Sequence, residues 1–148
     1  MKSPRELLIV DDNPADISLA REALAACAYS GQIHSVEDGA DALAFLARRG
    51  NYAKAIKPDL VLLDLNLPKR DGLAVLTAMK ANPDLRRIPV VIFSTSQLNK
   101  DIARSYELGA NCYVSKPGNL NEYFSMMRLI EEFWFGSVRL PPRGEETK

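Results

Sequence analysis

The sequence has few cysteines and no run of paired cysteines. Its 148 residues include two, Cys27 and Cys112, with no C-x-x-C spacing that would indicate a zinc site. A chain of this length buries roughly 70% of the surface of its unfolded state, so a hydrophobic core can stabilise it without a disulfide or a structural metal. We therefore expect both cysteines to be packing residues.

An excess of positive charge is also absent. Nineteen Lys and Arg residues balance nineteen Asp and Glu residues, the formal net charge is 0, and no basic block occurs. Binding to a phosphate backbone depends on a concentrated positive field. The sequence therefore predicts a protein that does not bind nucleic acid.

Long apolar runs are missing as well. A membrane-spanning helix needs about 20 apolar residues, whereas the runs here are far shorter. The run nearest the N-terminus, Leu7 to Val10, is followed at once by Asp11 and Asp12, so it is too short for a signal peptide. We expect a cytoplasmic protein that has no membrane contact.

The apolar residues are instead concentrated in five short segments. Four are continuously apolar, which is typical of strands buried on both faces of a parallel sheet: Leu7–Val10, Leu60–Leu63, Val90–Phe93 and Cys112–Val114. The fifth, Ile33–Val36, is less apolar and alternates, which predicts an edge strand.

Segments with helical spacing lie between these runs. Asn13 and Pro14 predict a helix start. The predicted buried faces are Ile17, Ala20, Leu24 and Cys27; Leu43, Leu46 and Ala47; Leu73, Leu76 and Met79; Ile102 and Tyr106; and Leu120, Tyr123, Phe124, Met127, Ile130 and Trp134. Five β-α units joined by right-handed crossovers predict an α/β fold, a doubly wound five-stranded parallel sheet in a three-layer sandwich.

Polar residues follow the predicted strands at their carboxyl ends, where ligands bind in such folds. They are Asp11, Asp12, Asp64, Ser94 and Lys116. Each alone is compatible with a helix cap or a solvated surface residue. Their shared position at one sheet edge favours a functional site.

The chemistry of these groups indicates metal-dependent phosphoryl transfer. Clustered carboxylates repel one another unless a cation neutralises them, and Mg²⁺ is the oxygen-preferring ion we expect. Asp12 and Asp64 would hold it directly, and Asp11 through water. A phosphoryl group on Asp64 would then have Lys116 and Ser94 as further partners, so we predict Asp64 as a nucleophile that forms an acyl phosphate. A cis bond between Lys116 and Pro117 would be one way to aim the amine.

These residues stand in motifs that resemble the receiver domain of two-component response regulators across residues 5–135. The motifs are Val10–Asn13, Leu63–Pro68 with Asp71 and Gly72, Phe93–Thr95, and Lys116–Pro117. More narrowly, four segments are similar to the single-domain regulators of phytochrome-type histidine kinases: Leu63–Pro68, Thr95–Ser96, Ala110–Tyr113 and Phe133–Gly136.

The resemblance implies a flavodoxin-like sandwich and a role for each motif residue. Asp64 would accept a phosphoryl group from a histidine of a sensor kinase. Ser94 and Lys116 would contact that group, and Tyr113 would be the aromatic switch that moves with Ser94. The implied Mg²⁺ ligands are Asp11, Asp12, Asp64 and the backbone carbonyl of Asn66. Such a protein is a signalling switch and not an enzyme.

The domain boundary and the assembly follow from the C-terminal region. Residues 1–135 are predicted to form the receiver domain, and residues 136–148 a short polar, proline-containing tail with no output domain. Phe133, Trp134 and Phe135 cannot all face one core. They predict an apolar patch for a homodimer, together with the face of the fourth helix, fifth strand and fifth helix, or for kinase docking. The alternative is a helix end folded back on its own core.

Two other functions fit the sequence less well. A phosphatase of the haloacid dehalogenase type also uses an Asp nucleophile and Mg²⁺, but that Asp lies in the first strand and an acid follows two residues later. Here Asp64 follows the third predicted strand and Asn66 takes the position of the acid. A nucleotide or flavin binder would need a phosphate-binding loop after the first strand, where Asp11 and Asp12 stand.

Overall fold

A computed structural model describes residues 5–143 and contains one central parallel sheet. The strands are β1 (Glu6–Val10), β2 (Gln32–Val36), β3 (Leu60–Leu63), β4 (Val90–Ser94) and β5 (Cys112–Ser115), in the order β2-β1-β3-β4-β5. The predicted doubly wound fold is confirmed. As predicted, the alternating strand β2 lies at an edge, and β1, β3 and β4 are buried along their whole length. The prediction of burial on both faces is wrong for β5, which lies at the other edge of the sheet and is only half-buried.

Helices cover both faces of the sheet. They are α1 (Pro14–Ala26), α2 (Gly39–Ala47), α3 (Gly72–Ala81), α4 (Asn99–Glu107) and α5 (Leu120–Glu131). A 3-10 turn at Gly50–Tyr52 follows α2, and a π-helical segment, Glu132–Ser137, follows α5. The cap predicted for α1 is confirmed, since the Asn13 side chain accepts a hydrogen bond from the Ala15 N–H and Pro14 is at the first position.

The two faces of the sheet carry separate apolar cores because side chains alternate along each strand. On one face, Leu8, Val10, Val61 and Leu63 pack against α2 and α3. On the other face, residues such as Ile9 and Leu62 pack against α1 and α5. The two layers fix the strands, and therefore the positions of the residues that follow them.

Several predicted buried faces are wrong in detail. In α2, Ala47 is exposed, whereas Ala42 and Phe45 are buried. In α4 only Ser105 is buried and Tyr106 is 49% exposed, while Leu120, the first residue of α5, is 57% exposed. Helical spacing identifies residues that share a face, but a helix with few apolar residues, such as α4, permits more than one orientation.

Two further predictions concern the cysteines, expected to be packing residues, and the Lys116–Pro117 bond, for which a cis conformation was considered. Cys27 is the C-cap residue of α1 and is half-buried, so it lies just beyond the helix on whose face it was predicted. Both cysteines are free thiols. No cis peptide bond occurs within residues 5–143, so the Lys116–Pro117 bond is trans.

Helical structure continues past residue 135, where the predicted domain ends. Trp134 and Phe135 are half-buried against the core that involves α1 and α5, whereas Phe133 is 54% exposed. Beyond Ser137 the chain continues along the domain, with Leu140 buried and Arg143 paired with Asp59 at 2.6 Å. Residues 144–148 of the predicted tail lie outside the described residues. Over the described range 5–143, no helix combines the length and the hydropathy needed to span a membrane.

Two residues of α5 test this packing. Met127 is fully buried, whereas Leu120 on the same helix is mostly exposed. We expect Met127→Ala to lower the free energy of unfolding by about 2–5 kcal/mol, because it leaves a cavity. Leu120→Ala should change it by less than about 0.5 kcal/mol, since little packing is lost. Urea denaturation followed by circular dichroism measures both values, and equal effects would contradict the orientation of α5.

Candidate functional site

The carboxyl edge of the sheet holds a buried lysine between carboxylates. Asp11 follows β1, Asp64 follows β3 and Lys116 follows β5. The Lys116 Nζ lies 2.6 Å from Asp11 Oδ2 and 2.9 Å from Asp64 Oδ2, and only 5% of its side chain is exposed. The Lys116 N–H donates to the Ser94 carbonyl at 2.8 Å, which anchors the backbone beside β4. The structure thus brings together these three predicted site residues.

A third carboxylate contacts the same ammonium group, and the sequence did not reveal it. Asp16 Oδ2 lies 3.0 Å from Lys116 Nζ. Asp16 is in the first turn of α1, where an acidic residue has an ordinary explanation as a partner of the helix dipole. The available signal was its place at the start of the helix that leaves this edge of the sheet.

The second oxygen of each buried carboxylate accepts a backbone hydrogen bond. The Asn13 N–H donates to Asp11 Oδ1 at 3.0 Å, and the Asn66 N–H donates to Asp64 Oδ1 at 3.2 Å. Both carboxylates are therefore oriented by one backbone amide and by Lys116. Asn66, a predicted metal ligand, is exposed and lies beside Asp64.

Burial and charge act in opposite directions on the site's pKa values. Burial raises the pKa of Asp11, and hydrogen bonds from Lys116 and the Asn13 amide only partly offset it. Burial lowers the pKa of Lys116, but hydrogen bonds and charge interactions with Asp11 and Asp64 outweigh it, so this pKa lies above its usual value. The lysine therefore stays protonated throughout the physiological range.

The acidic cluster suits a divalent cation. Asp11, Asp12 and Asp64 each offer one carboxylate oxygen, and these oxygens lie within 4.8 Å of one another. Asp11 and Asp64 are buried while Asp12 is exposed, so the cluster opens to solvent on one side. Carboxylate oxygens are the donors preferred by hard divalent ions. With Asp16 also present, one lysine leaves the cluster with excess negative charge, and the residues fit such an ion.

Ser94 and Tyr113 form a second, connected group beside this cluster. Ser94 at the end of β4 is fully buried, and its Oγ accepts a hydrogen bond from the Ser96 N–H at 3.4 Å. The Tyr113 hydroxyl donates to the Ser96 carbonyl at 2.8 Å. Burial raises the pKa of Tyr113, although hydrogen bonds with Ser96 and Ser94 act in the other direction. The predicted switch residues are therefore linked through Ser96.

The α4 helix contacts the same tyrosine through the backbone. The Tyr113 N–H donates to the Tyr106 hydroxyl at 3.1 Å. The Ser96 hydroxyl donates to Asp101 Oδ2 at 2.6 Å, which ties the loop after β4 to the first turn of α4. Tyr113 is thus linked to the last turn of α4 directly through Tyr106, and to its first turn indirectly through Ser96 and Asp101.

The start of α3 lies unusually close to Asp64. A Cβ built on Gly72 would overlap the Asp64 carbonyl oxygen and would lie 2.7 Å from Leu65 Cα. The Gly72 N–H donates to the Leu65 carbonyl at 2.9 Å. Only glycine permits this approach, so Gly72 fixes the segment that carries Asp64.

With this geometry established, comparison with known proteins identifies the family. Residues 7–128 match the family described as the response regulator receiver domain. The chain belongs to this family. It therefore acts as a phosphoryl acceptor in two-component signalling, and receiver domains bind a divalent metal at an acidic pocket.

Individual relatives match over nearly the whole chain. The Response regulator Rcp1 of Synechocystis sp. is 46% identical over 138 residues, which are 93% of this chain and 94% of that protein. The crystal structure of the phosphorylated cyanobacterial phytochrome response regulator RcpA has a TM-score of 0.91 at 47% identity, covering 95% of this chain and all of that one (100%). The Mn²⁺-bound form of Rcp1 has a TM-score of 0.90 at 45% identity, covering 94% of this chain and 100% of that one.

The role of Gly72 in this receiver domain can be tested by adding one methyl group. We expect Gly72→Ala to lower the free energy of unfolding by about 1–3 kcal/mol, because backbone atoms must move away from the new Cβ. The displaced Asp64 should also weaken Mn²⁺ binding. Thermal denaturation and calorimetric titration with Mn²⁺ measure the two effects.

Gly118→Ala is the matched control, since a Cβ at Gly118 meets no atom within 4 Å. Its stability should stay within about 0.5 kcal/mol of the original protein. Unaltered stability and Mn²⁺ affinity in Gly72→Ala would show that the close approach does not position Asp64.

Proposed function

We propose that Asp64 accepts a phosphoryl group from the histidine of a sensor kinase, in a reaction that depends on Mg²⁺. The observation that carries this proposal is the shared contact of Lys116 with Asp11 and Asp64 beside the acidic cluster. This arrangement combines a nucleophile, a fixed cation and a set of oxygen ligands at one edge of the sheet.

In the transfer step, an Asp64 oxygen attacks the phosphorus atom. The new O–P bond forms as the bond between phosphorus and the kinase imidazole breaks, and the imidazole leaves. The Lys116 ammonium lies 2.9 Å from Asp64 Oδ2, so a small shift would let it contact an oxygen of the phosphoryl group carried by Asp64. The Ser94 hydroxyl donates a hydrogen bond to another phosphoryl oxygen. These groups act through position and electrostatics.

The proposed Mg²⁺ ligands are Asp11, Asp12, Asp64 and the backbone carbonyl of Asn66. The clustered oxygens of the three carboxylates support this assignment. When bound, the ion supplies positive charge that offsets the charge of the carboxylates and of the incoming phosphoryl oxygens. The chain itself holds Asp64 in place through Asn66 N–H and Lys116.

The signal leaves the site through Ser94 and Tyr113. Recruitment of the Ser94 hydroxyl to the phosphoryl group withdraws it from Ser96 and from the Tyr113 hydroxyl. Tyr113 then changes position, and the contacts of its hydroxyl with Ser96 and of its N–H with Tyr106 transmit the change to α4. The surface formed by α4, β5 and α5 then changes its preference for partners.

The kinase we propose is of the phytochrome type. Similarity to Rcp1 and to the phytochrome response regulator RcpA over more than nine-tenths of the chain supports this choice. We further propose that the protein works in the cytoplasm as a switch without turnover of its own. The phosphatase alternative has less support, because Asp64 follows the third strand along the chain and Asn66 replaces the required acid.

A homodimer is proposed through the α4-β5-α5 face and the C-terminal aromatic residues. Phe133 is 54% exposed and Leu129, one helical turn earlier, is 59% exposed. Phe133 contacts Trp134 edge to face, with ring centroids 5.3 Å apart. Trp134 and Phe135 pack on the core, so Phe133 and Leu129 are the apolar groups that a second copy would cover.

Phosphotransfer tests the acceptor assignment. We expect labelled phosphate to pass to this protein within minutes from an autophosphorylated phytochrome-type kinase with Mg²⁺, and to differ between the dark and lit kinase. Asp64→Asn should receive none, because the amide is not a nucleophile. Asp71→Asn is the matched control, since Asp71 only caps α3 and asparagine preserves a cap. Label on Asp64→Asn would refute the assignment, and transfer only from unrelated kinases would refute the phytochrome link.

Self-association tests the proposed dimer surface. We expect Phe133→Ala to weaken dimerisation at least about tenfold, because an exposed aromatic anchor is lost. Ile56→Ala is the control, since Ile56 is 51% exposed in the segment before β3 and lies outside both the α4-β5-α5 face and the C-terminal aromatic residues. Sedimentation velocity of the phosphorylated and unphosphorylated protein measures the change. An unchanged profile for Phe133→Ala would assign the aromatic residues to folding alone.

A further inference from the structure

A cleft lies at the edge of the sheet opposite the acidic site. It has a volume of about 470 Å³ and is lined by residues that precede β3 and β4, such as Asp59 and Pro89, and by the C-terminal segment at Pro141–Arg143. A volume of this size suits a small organic ligand. The two sites are separated by the length of the strands, and the cleft shares no residue with the phosphorylation site.

The C-terminal segment forms a fixed wall of this cleft. Arg143 donates to both oxygens of Asp59, with Nε to Oδ1 at 3.2 Å and Nη2 to Oδ2 at 2.6 Å. Asp59 is 6% exposed, and its Oδ2 also accepts a hydrogen bond from the Glu6 N–H at 2.8 Å. Leu140 is buried just before this point. The bidentate contact of Arg143 with Asp59 and the buried side chain of Leu140 hold Pro141 and Pro142 at the opening of the cleft.

The lining is strongly cationic although the whole chain is neutral. It contains five cationic and two acidic side chains. Within residues 5–143, the side chains of Arg48, Lys57, Arg86 and Arg87 form no ion pair or hydrogen bond, while the acid Asp59 is already paired. Four cations and one acid, Asp84, with no internal partner among the described residues therefore line this cavity, which leaves it with a clear excess of positive charge.

We propose that this cleft binds a small ligand that carries two or more phosphate groups on an apolar ring system, the chemistry of a nucleoside polyphosphate. Guanidinium groups bind phosphate oxygens in pairs, and Arg86 and Arg87 are adjacent in the chain at the mouth of the cleft. Ile56, 51% exposed, and the prolines supply an apolar surface for a ring. An acidic peptide is a poorer match, because an extended chain needs an open groove and this cleft is walled by the C-terminal segment.

Calorimetric titration of the full chain with ATP, pyrophosphate and adenosine, in buffer free of divalent metal, tests the proposal. We expect saturable ATP binding, about tenfold weaker pyrophosphate binding because the ring contacts are lost, and no measurable adenosine binding. The double variant Arg86→Gln and Arg87→Gln should weaken ATP binding by at least about tenfold. Circular dichroism would verify that this variant remains folded, as both side chains are exposed.

The matched control removes the same charge elsewhere. Lys100→Gln with Arg128→Gln changes two exposed cations of α4 and α5 outside the cleft, and ATP affinity should stay within about twofold. Asp64→Asn should also bind ATP normally. The proposal is overturned if ATP shows no saturable binding up to about 5 mM, if both double variants lose equal affinity, or if a polyglutamate peptide binds the cleft more tightly than ATP.

Discussion

The contact of one buried ammonium with three carboxylates is the interaction on which the functional edge of this protein depends. Lys116 reaches Asp11, Asp16 and Asp64 within 3.0 Å, and its own side chain is almost fully enclosed. Removing one partner from such a group leaves uncompensated charge in a poorly solvated place, which is strongly unfavourable. The three carboxylates outnumber the single lysine, so the folded site keeps an excess of negative charge. A bound metal ion offsets this negative charge, and its binding stabilises the folded state by mass action. Folding, metal binding and phosphoryl acceptance therefore draw on the same few charges.

Topology explains why these groups meet although they are far apart in the chain. Asp11 and Lys116 are separated by 105 positions and still form an ion pair of 2.6 Å. Each parallel strand ends at the same edge, and each helix returns the chain to the opposite edge. The cores on both faces hold the strands in register, and Gly72 brings α3 against the segment that carries Asp64.

The sequence was sufficient to predict the strands and to predict that Asp11, Asp12, Asp64 and Lys116 lie together, for a physical reason. Strands buried on both faces must be continuously apolar, and polar residues at or just after the carboxyl ends of such runs then indicate the functional edge. The orientation of α4 was less predictable, because Tyr106 is one of its few large apolar side chains and lies at the surface. Asp16 was missed because an acid in the first turn of a helix has a sufficient local explanation. The pairing of Arg143 with Asp59 depends on how the C-terminal segment folds back, which local sequence does not encode.

The hydrogen bond from Tyr113 N–H to the Tyr106 hydroxyl also affects how readily the sheet edge can aggregate. Among the described strands, β5 is at one edge of the sheet, where unpaired backbone groups can template the addition of a strand from another molecule. The Tyr106 hydroxyl of α4 accepts a hydrogen bond from the Tyr113 N–H, one of these outward-facing amides. While α4 is docked, this position cannot take part in edge-to-edge association. The resistance of the sheet to aggregation at this edge therefore rests on the local stability of a polar helix with a single fully buried residue.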